Sequence, residues 1–319
     1  MGSSAPEGQA RRALIAFSTP ADAAPWKRWL LYCPLARIAI FALVTSGLAF
    51  LAQLAVIALG WGARAAPLHL RATGFFLSLV LPTLGAYLFL VLRIERRRPA
   101  ELAWRKLLPH GSMGTVLGAL LISAVVGVLW LAGAYQVVAI NPDPPWLVSL
   151  LVGGLGSAIA EELVFRGILF RVTEEGLGTW AALAVSALVF GLLHIANRGA
   201  TNWSSVAIAI EAGLLLGLVY QVFRSLPLCI GVHLGWNFVQ GTVYGIPVSG
   251  ARIEGWLVST RTGPDWLTGG PFGAEASVIT IGISLLCSLA LLALALRRQT
   301  LVAPGFATGN PSTAGLPAG

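Results

Sequence analysis

The stretch Ala158-Ile159-Ala160-Glu161-Glu162-Leu163-Val164-Phe165-Arg166 decides how this chain is read. Two carboxylates and a guanidinium stand in a run whose flanks, Leu150 to Ile159 and Gly167 to Phe170, are apolar or small. The surrounding chain of 319 residues is 56% hydrophobic and 11% charged, with a mean hydropathy of +0.80. A water-facing globular surface cannot carry that composition, so the stretch belongs to a membrane helix. An ionisable side chain at mid-membrane costs about 3 kcal/mol on insertion scales, which makes each one a functional residue by default. Glu162 and Arg166 are four apart and pair on one helix face. Glu161 is turned about 100° away and must face something else. A purely structural ion pair accounts for Glu162 and Arg166 but leaves Glu161 unexplained.

Working outward, apolar runs long enough to span a bilayer lie near 35–60, 74–94, 114–138, 147–171, 180–197, 203–223, 227–246 and 277–296. Turn residues separate them, as in Asn141-Pro142-Asp143-Pro144-Pro145 and Ser225-Leu226-Pro227. The expected fold is an all-α polytopic membrane bundle of about eight transmembrane helices. Its expected organisation is a cytoplasmic segment 1–33, helices one to three in 34–145, a core of helices four to seven in 146–246, an external loop 247–276, helix eight in 277–298 and a tail 299–319. The tail is rich in Pro, Gly, Ala, Ser and Thr and is expected to be disordered. No removable signal peptide is read at the N-terminus. Cys33, Cys229 and Cys287 are widely spaced in or beside apolar runs and read as small core residues, not as a disulfide framework.

The net charge of +8 points to topology and not to nucleic acid, because basic residues flanking apolar spans are the usual orientation signal. With the N-terminus inside, the cytoplasmic side receives Arg11, Arg12, Lys27, Arg28, Arg37, Arg93, Arg96, Arg97, Arg98, Arg105, Lys106, Arg171, Arg224, Arg297 and Arg298. The opposite side receives Arg64, Arg71, Arg198, Arg252 and Arg261. Both termini are therefore expected in the cytoplasm of a multi-pass protein of a bacterial plasma membrane, with lipid as the surrounding partner.

Further polar residues stand on the neighbouring segments. Phe190-Gly191-Leu192-Leu193-His194 ends the fifth, Glu211 lies in the sixth, and His233 and Asn237 sit one turn apart on the seventh. At a rise of about 1.5 Å per residue, Glu161 is roughly 16 Å from residue 172, His194 roughly 21 Å from residue 180, and His233 and Asn237 about 9 and 15 Å from Pro227. These depths let the side chains converge, in the cytoplasmic half of the bilayer on this orientation. Gly213-xxx-Gly217 and Gly231-xxx-Gly235 permit close helix approach. A carboxylate beside an imidazole can deprotonate water, and a second polar pair can stabilise the oxyanion of an attacked carbonyl, which is the chemistry of peptide hydrolysis. The residue patterns of zinc, serine and aspartyl intramembrane proteases do not occur.

Glu161-Glu162-x-x-x-Arg166, Phe190-x-x-x-His194 and His233-x-x-x-Asn237, in this order on successive helices, resemble the signature of the CAAX-protease and bacteriocin-processing family (CPBP, or Abi) over about residues 146–246. The resemblance implies a helical membrane fold and an intramembrane endopeptidase acting on a membrane-associated protein or peptide near the cytoplasmic face. It casts Glu161 as the water-activating carboxylate, His194 beside it, His233 and Asn237 as oxyanion stabilisers, and Glu162, Arg166 and Phe190 as supports. Glu211 departs from the aromatic or apolar residue common there and is either an additional acid of the site or the partner of a basic group. Glu161, His194 and His233 are also a zinc ligand set, which is why the family is often called metalloprotease, whereas water activation by Glu161 and His194 needs no metal. The family name does not oblige the substrate to be prenylated. Two other readings are a non-catalytic immunity or scaffold protein and a proton-coupled transporter, the latter without a matched inverted repeat.

The basic-residue asymmetry carries the first prediction. A reporter fused after Arg298 should be cytoplasmic and one inserted in 249–275 external, and a cytoplasmic 249–275 reporter would reverse the orientation.

Overall fold

The computed structural model describes residues 23–304; Arg11, Arg12 and the tail from 305 onward, used in the charge and disorder readings, lie outside the described residues. Among the described residues six helical stretches are long and apolar enough to cross a membrane: Pro34–Ala58 (α1), Leu68–Ile94 (α2), Trp104–Leu131 (α3), Trp146–Ala196 (α4), Asn202–Phe223 (α5) and Val278–Arg297 (α7). Between α5 and α7 runs the shorter α6, Leu226–Phe238, prolonged by a π-helical turn over Val239–Val243. The 51 residues of α4 fold back at Gly178, whose φ of 81° and ψ of 173° are accessible only to glycine. Its two arms are the expected fourth and fifth helices, and they lie alongside one another, with the Phe165 and Phe190 rings 4.7 Å apart. The expected fourth and fifth spans are thus the two arms of one bent stretch, and the expected seventh is the shorter α6, which is not among the six long apolar stretches.

Local signals set the helix starts. Cys33 Sγ accepts from Ala36 N ahead of Pro34, Thr201 and Ser204 form a reciprocal capping box on α5, and Ser277 caps α7. α5 is the most enclosed span, 72% buried over its apolar window, whereas α1 is only 6% buried. The outward leucines of α1, among them Leu35, Leu43 and Leu51, form the surface that lipid covers.

Two boundaries differ from expectation. The third helix ends at Leu131, not near 138, and Tyr135–Ile140 (β1) pairs antiparallel with Leu257–Arg261 (β2) inside the expected loop 247–276. Gly133, at φ 72°, takes the left-handed conformation that stops the helix, and the valines and isoleucine of Val137-Val138-Ala139-Ile140 favour a strand. The tail also starts later than expected, since Val302 N donates to Thr179 Oγ1 at 2.8 Å and Gln221 Nε2 donates to Thr300 O at 2.7 Å.

The end of the bundle away from the sheet is closed by buried ion pairs. Arg37 and Arg171 bond Glu95 at 3.1 and 2.8 Å, Arg97 bonds Glu101 at 2.5 Å, and Arg224 bonds Glu174 at 2.5 Å. Burial pushes the Glu95 carboxyl up, but Arg171 and Arg97 outweigh it and hold the group below its ordinary range. These contacts join α1, the end of α2, the first arm of α4 just before its bend and the end of α5.

α3 and α6 approach most closely, and glycines on both make that distance accessible. A Cβ at Gly118 would lie 2.0 Å from Val232 O, one at Gly231 would lie 2.2 Å from Gly111 O, and one at Gly235 would lie 2.1 Å from Thr115 O. Gly213 meets Ala187 in the same way, a Cβ there falling 2.7 Å from its Cα. Both small-residue motifs therefore sit at helix crossings. Gly118→Val should destabilise the protein by about 1–3 kcal/mol through this overpacking. Its unfolding midpoint in detergent should fall, while Gly127→Ala, where a Cβ meets nothing within 4 Å, should leave the midpoint in place.

Candidate active site

The first arm of α4 carries Glu161 and Glu162 between two π-helical turns, Leu150–Gly156 and Leu163–Phe170. Small residues precede them, and this lets α6 lie close: a Cβ on Gly154 would meet Leu234 at 2.8 Å. The two carboxylates then diverge as their spacing requires. Glu162 is wholly buried; its Oε1 accepts from Arg166 Nη1 at 2.8 Å and faces His233 Nδ1 at 2.9 Å. Glu161 turns to a cavity of about 790 Å³, where its Oε2 has no hydrogen-bond partner.

Arg166 organises the surroundings of Glu162. Its Nη2 donates to Ala212 O at 2.7 Å and Gly213 O at 3.1 Å, tying α5 to α4. Its guanidinium also lies over the Phe190 ring at 5.3 Å, and Phe190 stacks on the His194 imidazole at 4.5 Å and 26°. Phe190 thereby links the ion pair to His194.

The hydrogen bonds dictate tautomers. His194 Nδ1 lies 2.8 Å from Phe190 O, and a carbonyl can only accept, so Nδ1 carries a proton and the neutral ring presents its lone pair at Nε2. His233 Nδ1 faces the Glu162 carboxylate and is likewise the protonated nitrogen. Asn237 Nδ2 donates to Gly153 O at 3.2 Å and to Ser157 Oγ at 3.4 Å.

Glu161, His194, His233, Asn237 and Glu211 all line the one cavity, together with Phe190. Two expected relations differ. No hydrogen bond joins Glu161 to His194, and His233 is held by Glu162, which sequence reading had paired with Arg166 alone. Among the described residues no three His, Cys, Asp or Glu side chains, Glu161, His194 and His233 included, gather as a group that could hold a metal ion. Sequence reading missed Ser157, Ser249 and Glu275. Glu275 is buried in the cavity wall, where it accepts from Ser249 N at 2.5 Å and Ser249 Oγ at 3.1 Å. Burial pushes its carboxyl up to about 7 against those bonds. It precedes α7, where no motif or periodicity marks it. The cavity wall draws on Phe75 and Leu79 of α2 and, at the sheet end of the bundle, on Asn197, Arg198 and 248–253.

Set beside known families, this arrangement finds a counterpart. Residues 143–239 match the Rce1-like family of type II CAAX prenyl endopeptidases. No curated protein and no solved structure matches the chain. The resemblance read from the three motifs is thus shown, and the Rce1-like segment contains Glu161, Glu162, Arg166, His194, Glu211, His233 and Asn237. That match supports an intramembrane endopeptidase of CAAX-protease type in general. Glu275 and Ser249 lie outside the Rce1-like segment.

Arg166→Ala would leave Glu162 as a buried charge with His233 its remaining partner and free the carbonyls of Ala212 and Gly213. Removing one member of a buried pair costs on the order of 3 kcal/mol or more. The variant should accumulate poorly and melt early in detergent, and a wild-type melting curve would show that the pair does not support the site.

Proposed function

We propose that this chain is an intramembrane endopeptidase that hydrolyses a peptide bond of a membrane-associated protein or peptide, with Glu161 as the general base. The observation that carries the reading is the Glu161 carboxylate, unpartnered at Oε2, in the same cavity as the His194 ring whose Nδ1 is tied to Phe190 O. In this mechanism one water hydrogen bonds Glu161 and the other bonds His194 Nε2. Glu161 takes the first proton as the water oxygen attacks the carbonyl carbon, and it returns that proton to the amide nitrogen as the C–N bond breaks. His233 stabilises the oxyanion from Nε2–H. With Nδ1 already donating to Glu162, this requires the doubly protonated ring, whose charge the Glu162 carboxylate balances. Asn237 joins by exchanging its longer bond, that to Ser157, for the oxyanion. No step passes through a metal.

The reading keeps both termini in the cytoplasm of a bacterial plasma membrane, on the basic-residue asymmetry. It moves the face of action. The lining residues Arg198 and 248–253 belong to the end of the bundle opposite Arg93, Arg96, Arg97 and Arg98, so cytoplasmic termini and a cytoplasmic mouth are incompatible. We therefore propose access from the external side.

Glu161→Gln keeps size and hydrogen bonding but cannot accept the water proton. Cleavage of a membrane-anchored reporter peptide by purified protein in liposomes should fall by about 10²- to 10⁴-fold, with the melting temperature retained. Near-normal turnover in this variant would remove Glu161 from the base role.

A further inference from the structure

We propose that Glu211 and Glu275 form a cation-recognition site in the cavity wall, which selects substrates bearing a lysine, arginine or free amino group near the scissile bond; this rests on the endopeptidase reading above. Glu211 is 6% exposed and Glu275 2% exposed, and both line the same cavity as Glu161. They come from different elements, Glu211 from α5 and Glu275 from the 3₁₀ turn Ala274–Ala276 before α7.

The two acids are held differently. Glu275 is fixed by Ser249 N and Oγ. Glu211 makes no hydrogen bond and no ion pair among the described residues, although its backbone position is set by Arg166, which grips the carbonyls of Ala212 and Gly213. The cavity also holds two guanidinium-bearing residues, Arg198 and Arg252, and neither bonds Glu211 or Glu275. An unpartnered buried carboxylate is expensive, and a second carboxylate beside it adds like-charge repulsion. Arg166 acts on Glu211, and His233 on Glu275, only through space, with no bond to either carboxylate. A ligand cation between the two acids relieves both penalties at once, with charge-assisted hydrogen bonds to each.

The chemistry also separates this pair from the hydrolytic residues. Glu162 already takes Arg166 and His233 at its Oε1 and lies outside the cavity, and Glu161 is committed to the proton transfer. Glu211 and Glu275 have no part in bond breaking, which leaves them to bind and orient the chain being cut.

The test uses pairs of membrane-anchored fluorogenic peptides that differ only in lysine or norleucine at successive positions about the cleaved bond. Wild-type protein in liposomes should cleave the lysine peptide of one pair with the higher kcat/KM, and Glu211→Gln and Glu275→Gln should each lower that lysine-to-norleucine ratio by roughly 10- to 100-fold. An unaltered ratio in Glu211→Gln overturns the proposal. The same pairs are titrated by fluorescence anisotropy onto the Glu161→Gln protein, with and without Glu211→Gln. Tighter lysine binding that disappears with Glu211→Gln supports the site even if wild-type protein cuts nothing, an outcome that would sink only the endopeptidase reading. Equal binding of lysine and norleucine peptides rejects the site. Glu211→Asp serves as the folding check and should retain part of the lysine preference.

Discussion

A single carboxylate, Glu162, holds the site together. Its Oε1 takes Arg166 and His233 at 2.8 and 2.9 Å in a fully buried position. Through Arg166 it reaches the carbonyls of Ala212 and Gly213 on α5, and through His233 it reaches α6. Three helices that lipid alone would not hold in register are thereby fixed to one another. Hydrophobic burial cannot do this inside a membrane, because apolar side chains meet lipid tails as readily as each other. Close glycine packing supplies proximity between α3 and α6, and the Glu162 cluster supplies orientation.

That division explains why the neighbouring Glu161 can stay reactive. The same 100° step along the helix that buries Glu162 directs Glu161 to the cavity. Were both carboxylates bonded by Arg166, the proposed mechanism would have no base; were neither, the arm would carry two unpaired charges. Phe190 extends the arrangement by lying between the Arg166 guanidinium and the His194 ring, so that a charge, an aromatic face and an imidazole are stacked in sequence. The role of the ion pair is therefore positional, which suits a pair whose net contribution to stability is small.

Much of this was legible in the residues alone. The spacing of Glu162 and Arg166, the divergence of Glu161 and the grouping of His194, His233 and Asn237 follow from helical periodicity and depth, and Glu161, His194, His233 and Asn237 line one cavity. The Glu162–His233 contact was not legible, because periodicity assigns a face but not which neighbour occupies it. The β1–β2 pairing was missed since Val137 and Val138 continue an apolar run that hydropathy reads as helix until Gly133 is taken as its stop. Glu275 left no signal, as it enters the wall through the fold of 246–277 and not through any repeat. The end at which the cavity opens was not legible for a related reason: helix rise gives a distance from one end of a span but not the end from which loops 196–201 and 246–253 reach inward.

Two of the buried polar atoms without partners among the described residues belong to residues that line the cavity. Glu161 Oε2 and Trp236 Nε1 are buried and unbonded in residues that line the cavity, and Glu211 there has no bonded partner. In a membrane interior such groups are costly, and helices exist there because they satisfy their own backbone. A peptide bond within a helix is therefore shielded from attack, and a substrate segment must give up helical hydrogen bonds before water can reach its carbonyl. A cavity wall with spare donors and acceptors offers replacements for those bonds at the place where they are lost. The apolar side formed by Phe75 and Leu79 offers nothing of the kind, so the opened segment must lie against the wall formed by α4, α5 and α6. On the endopeptidase reading proposed above, such groups would favour the extended form of the substrate over its helical form, which would couple unwinding to cleavage.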